Sequence, residues 1–456
     1  MCDMLYIPAA RSSNRRHVLA KVGDRPLAEC QPLFFQPAMD HPDDELLACT
    51  HICIPQALHT NAILANKIWW MWGVEMGTND HHVAVTITAQ HSVFPCEPDC
   101  GLLGNDLVRL ALERGSSAYE AMHVIISLLE QYGQEGQTHY TADGGRYESA
   151  FFIADDHEAW KLETAGRKWV AKRVESVDCI GNCYSIRTEY DELAPGLIEY
   201  AVRNSLYDPS ESFSFADAFT NPSHLFLRAS LRNKRMRRLL NDAPERIDRA
   251  QIWRILADHY EGTWLESTSG PFTAVFPSIC MHSNDPASNG KSACSMIFEY
   301  RDTLGIVCWT AFSNACTSIF LPVYFTDRLP ALMTNVSQKY TPDSLWWTME
   351  RLTIEAEMDY ERAIVRVRTV LDPLQKEIEE EALIVEEKAG LLLKNGEKEQ
   401  VYALLNGFME QNAQRVQEAA SCLIEELSAE RKQRGGPFGP RNRRMLPFWE
   451  KAGLPV

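Results

Sequence analysis

Strand-like and helix-like segments come in blocks along this 456-residue chain, without the regular strand–helix alternation of a doubly wound parallel sheet, and that points to an α+β architecture. Two short apolar runs, Leu5-Tyr6-Ile7 and Val18-Leu19-Ala20, flank a polar loop over residues 11–16 and read as a hairpin. Further strands are expected at Ile52 to Ile54 and Ala62 to Leu64, and Cys49-Thr50-His51-Ile52-Cys53 reads as a strand carrying Cys49, His51 and Cys53 on one face. Trp69 to Asp80 reads as strand–turn–strand with Gly77 and Asn79 in the turn, and Val83, Val85 and Ile87 alternate as in a half-buried strand. Over residues 101–132 leucines and other apolar residues recur at three and four, predicting two helices joined at Gly115-Ser116-Ser117 with Ser117 as N-cap. Strands return over 151–186, helices over 221–265, and strand-like runs from Phe272 through the Cys280-Met281-His282 element to Pro322. From Tyr340 to about Arg434 apolar stripes predict long helices, and residues 435–456 look irregular.

Charge narrows the partners. A net charge of −17 disfavours nucleic acid and anionic membranes, which attract cationic surfaces. No apolar run approaches the roughly 18 residues of a membrane span, and no signal-peptide pattern opens the chain, so no membrane span and a cytoplasmic location are expected. Thirteen cysteines are dispersed as Cys49/Cys53, Cys96/Cys100, Cys179/Cys183 and singles, without the tight pairs of a zinc ribbon. No cofactor and no metal is expected, and His282 reads as a buried structural histidine. The basic residues near Arg228 to Arg238 read as a solvated face or a docking surface, and the acidic run 377–387 as a solvated face.

Chemistry enters at the second residue. Removal of Met1 exposes Cys2 as a residue bearing both a thiol and a free α-amine, with pKa values of about 8.5 and about 8, so the amine can take the thiol proton near neutral pH. Read alone, a small second residue means only that the methionine is removed. The predicted hairpin brings Lys21 and Asp24 beside Cys2, a cation to stabilise a thiolate and a carboxylate to hold the amine. The cluster Trp69-Trp70-Met71-Trp72 reads equally as a pocket wall or as an edge of the core.

Several strings carry a resemblance: the N-terminal Cys2 hairpin; Trp70-Met71-Trp72-Gly73-Val74-Glu75-Met76-Gly77-Thr78-Asn79-Asp80; the run Gly104 to Arg114; and Ile153-Ala154-Asp155 through Glu158-Ala159-Trp160-Lys161-Leu162-Glu163-Thr164-Ala165-Gly166. The chain resembles the secernins, a branch of the cysteine dipeptidases among the N-terminal-nucleophile cysteine hydrolases. That resemblance implies a four-layer αββα sandwich over 2–335 with a helical insert near 221–265, helices over 340–434 packed on it, and an irregular tail over 435–456. It implies that Cys2 is nucleophile and base, that Lys21 and Asp24 organise the N-terminus, that the Asn182 amide donates to the oxyanion, and that Arg232 completes the site. The expected activity is hydrolysis of a small amide or dipeptide-like substrate, with a homo-oligomer compatible. Departures from the pattern stand at Lys21 (arginine in the acylases), Val22-Gly23, His82, and Thr86-Ile87-Thr88, where relatives read Gly-Asn-Glu. If an asparagine side chain at 87 binds substrate, turnover would be lost, and the chain would be a weak or inactive interaction protein of the kind the secernin name associates with exocytosis.

Overall fold

The computed structural model describes residues 2–455 except 28, 95–100, 141–144, 223–225, 268–269, 273–275, 284–289, 336 and 437–438. Cys96 and Cys100 therefore lie outside the described residues, as does Met1. The chain divides into two compact units, Met1–Lys21 with Phe35–Asp248, and Val22–Phe34 with Arg249–Val456. The division falls inside the second strand and after residue 248, not near residue 335 as the sequence suggested.

The chain opens with β1 (Cys2–Ile7) and β2 (Val18–Arg25), the predicted hairpin, of which the first unit takes β2 only as far as Lys21. Next come β3 (Leu33–Gln36), two small ribbons pairing β4 (Met39–Asp40) with β7 (His59–Thr60) and β5 (Leu46–Ala48) with β6 (Cys53–Pro55), then β8 (Ile63–Asn66), β9 (Met76–Asn79) and β10 (Ala84–Gln90). Helices α1 (Gly104–Arg114) and α2 (Ala118–Tyr132) follow, then β11 (Glu148–Ala154), β12 (Ala159–Ala165), β13 (Lys168–Arg173), β14 (Asp178–Ile180) and β15 (Glu192–Leu193). Short α3 (Leu197–Arg203) and α4 (Phe215–Phe219) lead to α5 (Phe226–Asp242).

An eight-stranded antiparallel sheet runs β15–β13–β12–β11–β10–β9–β8–β3. Helices α1 and α2 pack on one face of it, β1 lies against β10 on the other, β14 and β2 flank β1, and α5 covers β14. Within this unit the layers are therefore helix, sheet, sheet, helix, the expected αββα order. All six residues of β1 are buried because both faces are covered. Ser117 caps α2, accepting from the Glu120 N–H at 3.2 Å, as its position predicted.

Several expectations are corrected. Cys49 to Ile52 form the turn of the β5–β6 ribbon, closed by the Cys49 N–H to Ile52 carbonyl bond at 2.9 Å, so Cys49, His51 and Cys53 share no strand face. Residues 69–74 are irregular, and Gly77 and Asn79 lie in β9, not in a turn. Strand β10 is buried on both faces, not one. The Cys280-Met281-His282 element is a loop.

In the second unit α6 (Arg249–Leu256) precedes β16 (Lys291–Arg301), β17 (Gly305–Phe312) and β18 (Leu321–Val323), which follow the end of β2 in that order across the sheet. After α7 (Ala331–Thr334) come α8 (Leu345–Glu357), α9 (Tyr360–Lys394), α10 (Lys398–Gln433) and α11 (Gly439–Lys451). Helix α8 packs on β17, α9 and α10 on β18, and the three helices on one another. The expected irregular tail thus holds a helix, anchored by Arg441 donating to Glu357 at 2.7 Å. The acidic face of α9 is paired: Arg415 on α10 bridges Glu377 and Glu381 at 2.8 and 2.7 Å. No helix among the described residues is long and apolar enough to cross a membrane.

Candidate active site

Cys2 begins β1 and is buried, with its two polar ends on different networks. The backbone nitrogen donates to Asn182 Oδ1 at 3.1 Å. That oxygen also accepts from Arg232 Nη2 at 2.5 Å, and Arg232 Nε pairs with Asp3 Oδ2 at 2.7 Å. Arg232 and Asp3 are fully buried, so each is the other's charge partner inside β1, Asn182 and α5. The guanidinium sets the amide orientation: a flipped Asn182 would put NH2 against NH2. Asn182 Nδ2 is bonded to Thr88 Oγ1 at 3.0 Å and to the Ala89 carbonyl at 2.8 Å. With both amide hydrogens already bonded, Asn182 holds the nitrogen of Cys2 instead of presenting a donor to an oxyanion, as its sequence position had suggested.

The thiol end meets a residue sequence reasoning had not placed in the site. Cys2 Sγ lies 3.4 Å from Glu75 Oε1, which also accepts from Lys21 Nζ at 2.5 Å. Lys21 reaches the Glu75 carbonyl too, at 3.2 Å, and Asn105 Nδ2 donates to Glu75 Oε2 at 2.7 Å. The Lys21–Glu75 pair is buried at 0% and 3% exposure, so neither charge has water to fall back on. The Glu75 carboxylate thus lies in contact with both the Lys21 ammonium and the Cys2 thiol. Asp24, farther along β2, accepts from Ser292 Oγ at 2.8 Å.

The tryptophan-glycine string builds the clamp that sets Glu75. Arg109 of α1 stacks 4.1 Å over Trp72 and donates to its carbonyl at 2.9 Å. A Cβ on Gly73 would stand 2.3 Å from the Asn105 carbonyl carbon, so only glycine lets residues 72–75 close on the start of α1, where Val74 N–H bonds the Asn105 carbonyl at 3.0 Å. Asn79 Nδ2 holds the carbonyls of Leu112 and Gly115 at 2.9 and 2.7 Å, tying β9 to the end of α1. The signal for Glu75 was its place inside this string.

Glu163 does the same for Asn182. Its carboxylate accepts from the N–H groups of Ser185 and Ile186 and from Ser185 Oγ at 2.6 Å, pinning the loop after β14. Burial raises the Glu163 carboxyl above its ordinary value, against the opposing pull of Lys161 and those hydrogen bonds. Burial likewise pushes the neighbouring Cys183 thiol up to about 12.

Strand alternation decides the departure at residue 87. Thr88 Oγ1 donates to the Cys2 carbonyl at 3.1 Å and Gln90 Nε2 to the Gly181 carbonyl at 3.0 Å, so residues 88 and 90 face β1. Ile87 faces the other way, its Cδ1 against Gly104 at the start of α1. The isoleucine fills the helix-side core and leaves the Cys2 face untouched. His82 sits in the β9–β10 turn at φ 59°, a left-handed conformation uncommon for a residue with a side chain, and bonds Asp156 at 2.9 Å.

The family model for peptidase family C69 matches residues 39–372, well over half of the chain. The chain belongs to peptidase family C69. This is the family of the cysteine dipeptidases and secernins that the sequence resembles, and it brings amide-bond hydrolysis as the chemistry to explain. The matched span starts after β2, so Cys2, Lys21 and Asp24 lie outside it while Glu75, Asn105, Asn182 and Arg232 lie within. Solved structures similar to the chain include penicillin V acylase from Agrobacterium tumefaciens, 13% identical over 72% of this chain and 87% of that one, with a TM-score of 0.38. Another is a C2A mutant of conjugated bile acid hydrolase from Clostridium perfringens, 9% identical over 71% and 92%, TM-score 0.38. A third is the Caenorhabditis elegans ortholog of N-acylethanolamine-hydrolyzing acid amidase, 11% identical over 65% and 92%, TM-score 0.30.

Proposed function

We propose that this member of the C69 family is a cysteine-type amide hydrolase acting on small, dipeptide-like substrates, with Cys2 as its nucleophile once Met1 has been removed in the cytoplasm. The observation that carries this reading is the double tether of Cys2: nitrogen on Asn182 at 3.1 Å, sulfur 3.4 Å from a carboxylate paired with Lys21. A buried thiol given separate partners for its nitrogen and its sulfur is oriented for attack, which a merely structural cysteine does not need.

In this mechanism the thiol proton passes to the α-amine, whose orientation Asn182 holds. The thiolate adds to the substrate carbonyl, and the C–N bond breaks as the leaving nitrogen takes that proton. Water then cleaves the thioester, releasing the acid and restoring the thiol. Lys21, through Glu75, keeps the carboxylate beside the sulfur from adding an uncompensated negative charge to a developing thiolate. Arg232, neutralised by Asp3, orients Asn182.

Glu75 Oε1 itself is a second proton acceptor within reach of the sulfur, and the two bases are separable. With Cys2→Ala, turnover of a panel of dipeptides and N-acyl amides should fall by several orders of magnitude while the melting temperature stays within a few degrees. Chain that retains Met1, or is acetylated at Cys2, should be inactive if the amine is the base; full activity in that chain assigns the base to Glu75. No Cys2-dependent turnover on any member of the panel would favour the interaction protein over the enzyme.

A further inference from the structure

A second cluster of reactive side chains lies in the other unit and plays no part in the chemistry above. His259 follows α6, Cys280 and His282 lie in the loop before β16, and Cys316 lies in the loop after β17. One ligand atom from each of these four residues, an imidazole nitrogen or a sulfur, lies within 4.8 Å of the other three. His282 Nε2 is 3.7 Å from Cys280 Sγ and 3.2 Å from Cys316 Sγ. Zinc–sulfur bonds of about 2.3 Å and zinc–nitrogen bonds of about 2.0–2.1 Å put the edges of a tetrahedron at roughly 3.3–3.8 Å; the His282–Cys280 pair lies within that range at 3.7 Å and the His282–Cys316 pair just short of it at 3.2 Å.

Both histidines are already committed at their other nitrogen. His282 Nδ1 bonds Glu357 Oε1 at 2.7 Å and His259 Nδ1 bonds Glu261 Oε1 at 3.1 Å. A carboxylate on Nδ1 orients the ring and turns Nε2 toward the sulfurs, the arrangement of a metal-ligating histidine. His259 is buried, and its imidazole faces the Cys280 thiol. Asn314 Nδ2 donates toward Cys280 Sγ at 3.4 Å, as suits a thiolate. The rings of Phe272 and Tyr360 pack on His282, so the cluster is walled off from water.

We propose that His259, Cys280, His282 and Cys316 form a structural zinc site. Two thiolates and two neutral imidazoles carry two negative charges, which one Zn2+ cancels, so the loaded site is neutral in its buried setting. Binding exchanges the two thiol protons for the metal and moves no electron. Four protein ligands complete the tetrahedron and leave no position for water, which makes the site structural and not hydrolytic. Its role is to fasten three loops of the second unit. Glu357, held by Arg441 at 2.7 Å, extends that fastening to α11. Spacings of 21, 2 and 34 residues match no sequence motif, which is why only the fold brings the ligands together.

The test is elemental analysis of the full-length chain purified without chelator or added metal. One zinc per chain is expected, with Co2+ substitution producing the blue of tetrahedral thiolate ligation and stripping with a strong chelator lowering the melting temperature by several degrees. Cys316→Ser should lose the metal. If that variant does not fold, His282→Cys, which keeps four ligands, should retain zinc and shift the cobalt spectrum. A wild-type chain holding well under one zinc per chain and gaining no stability from added zinc would overturn the proposal, as would a Cys280–Cys316 disulfide in the native protein or copper in place of zinc.

Discussion

The Lys21–Glu75 pair is the most consequential contact at the scale of single residues, because both charges are buried and each depends on the other. Lys21→Ala should cost about 3–5 kcal/mol in urea unfolding, since it strands the Glu75 carboxylate in the core. The double variant Lys21→Met/Glu75→Gln should cost less than the sum of the single changes, and a double-mutant cycle measures that coupling. Reactivity at Cys2 is testable against the other thiols. Burial pushes Cys30, Cys49, Cys179 and Cys183 up to about 12, so at pH 7–8 they remain protonated and react slowly. A thiol-directed electrophile should label Cys2 ahead of those four, and mass spectrometry should find the exposed Cys53 and Cys422 as its only close competitors among the described cysteines. Equal labelling of Cys2 and Cys179 would remove the case for an activated nucleophile.

At the scale of elements, glycines separate close approach from open space. Gly73 closes on the start of α1 with no room for a methyl group, so Gly73→Ala should destabilise by about 1–3 kcal/mol and also lower activity by shifting Glu75. Gly407, exposed inside α10, has nothing within 4 Å of an added Cβ, and Gly407→Ala should stabilise by up to about 1 kcal/mol. Thermal denaturation of the two variants side by side checks both signs. The basic run of α5, legible as a charged helix, is not simply a solvated face. Arg232 is drawn into the core by Asp3, and Arg237 bonds Asp178 at 3.1 Å, because helical periodicity turns those positions toward β1 and β14.

On the scale of the whole molecule, the C-terminal helices complete the second unit. Trp346 Nε1 donates to the Ala293 carbonyl at 2.8 Å, Lys291 pairs with Glu350 at 2.5 Å, and Gln375 bonds both the N–H and the carbonyl of Phe320. A chain ending near residue 340 would leave β17 and β18 without the helices that cover them, exposing Trp309, Leu321 and Val323 to water. It should be recovered mainly as aggregate, with no cooperative unfolding transition by circular dichroism. A soluble, fully active chain of that length would show that the helices are dispensable.

What the residues alone determined was local. The Cys2 hairpin, the two helices with their Ser117 cap and the long C-terminal helices follow from periodicity and capping, which act over a few residues. The family strings were legible as strings, and Cys2, Asn182 and Arg232 do meet. Their roles were decided by contacts spanning from 50 to 229 positions of chain: the guanidinium of Arg232, paired with Asp3, turns the Asn182 carbonyl toward Cys2, and Glu75 stands between Lys21 and the thiol. Whether Ile87 touches the nucleophile turned on strand register, which flips every side chain with a one-residue shift. His259, Cys280, His282 and Cys316 converge from three loops that no periodicity links. Long-range packing selects partners for buried polar groups, and that selection is invisible until the layers close.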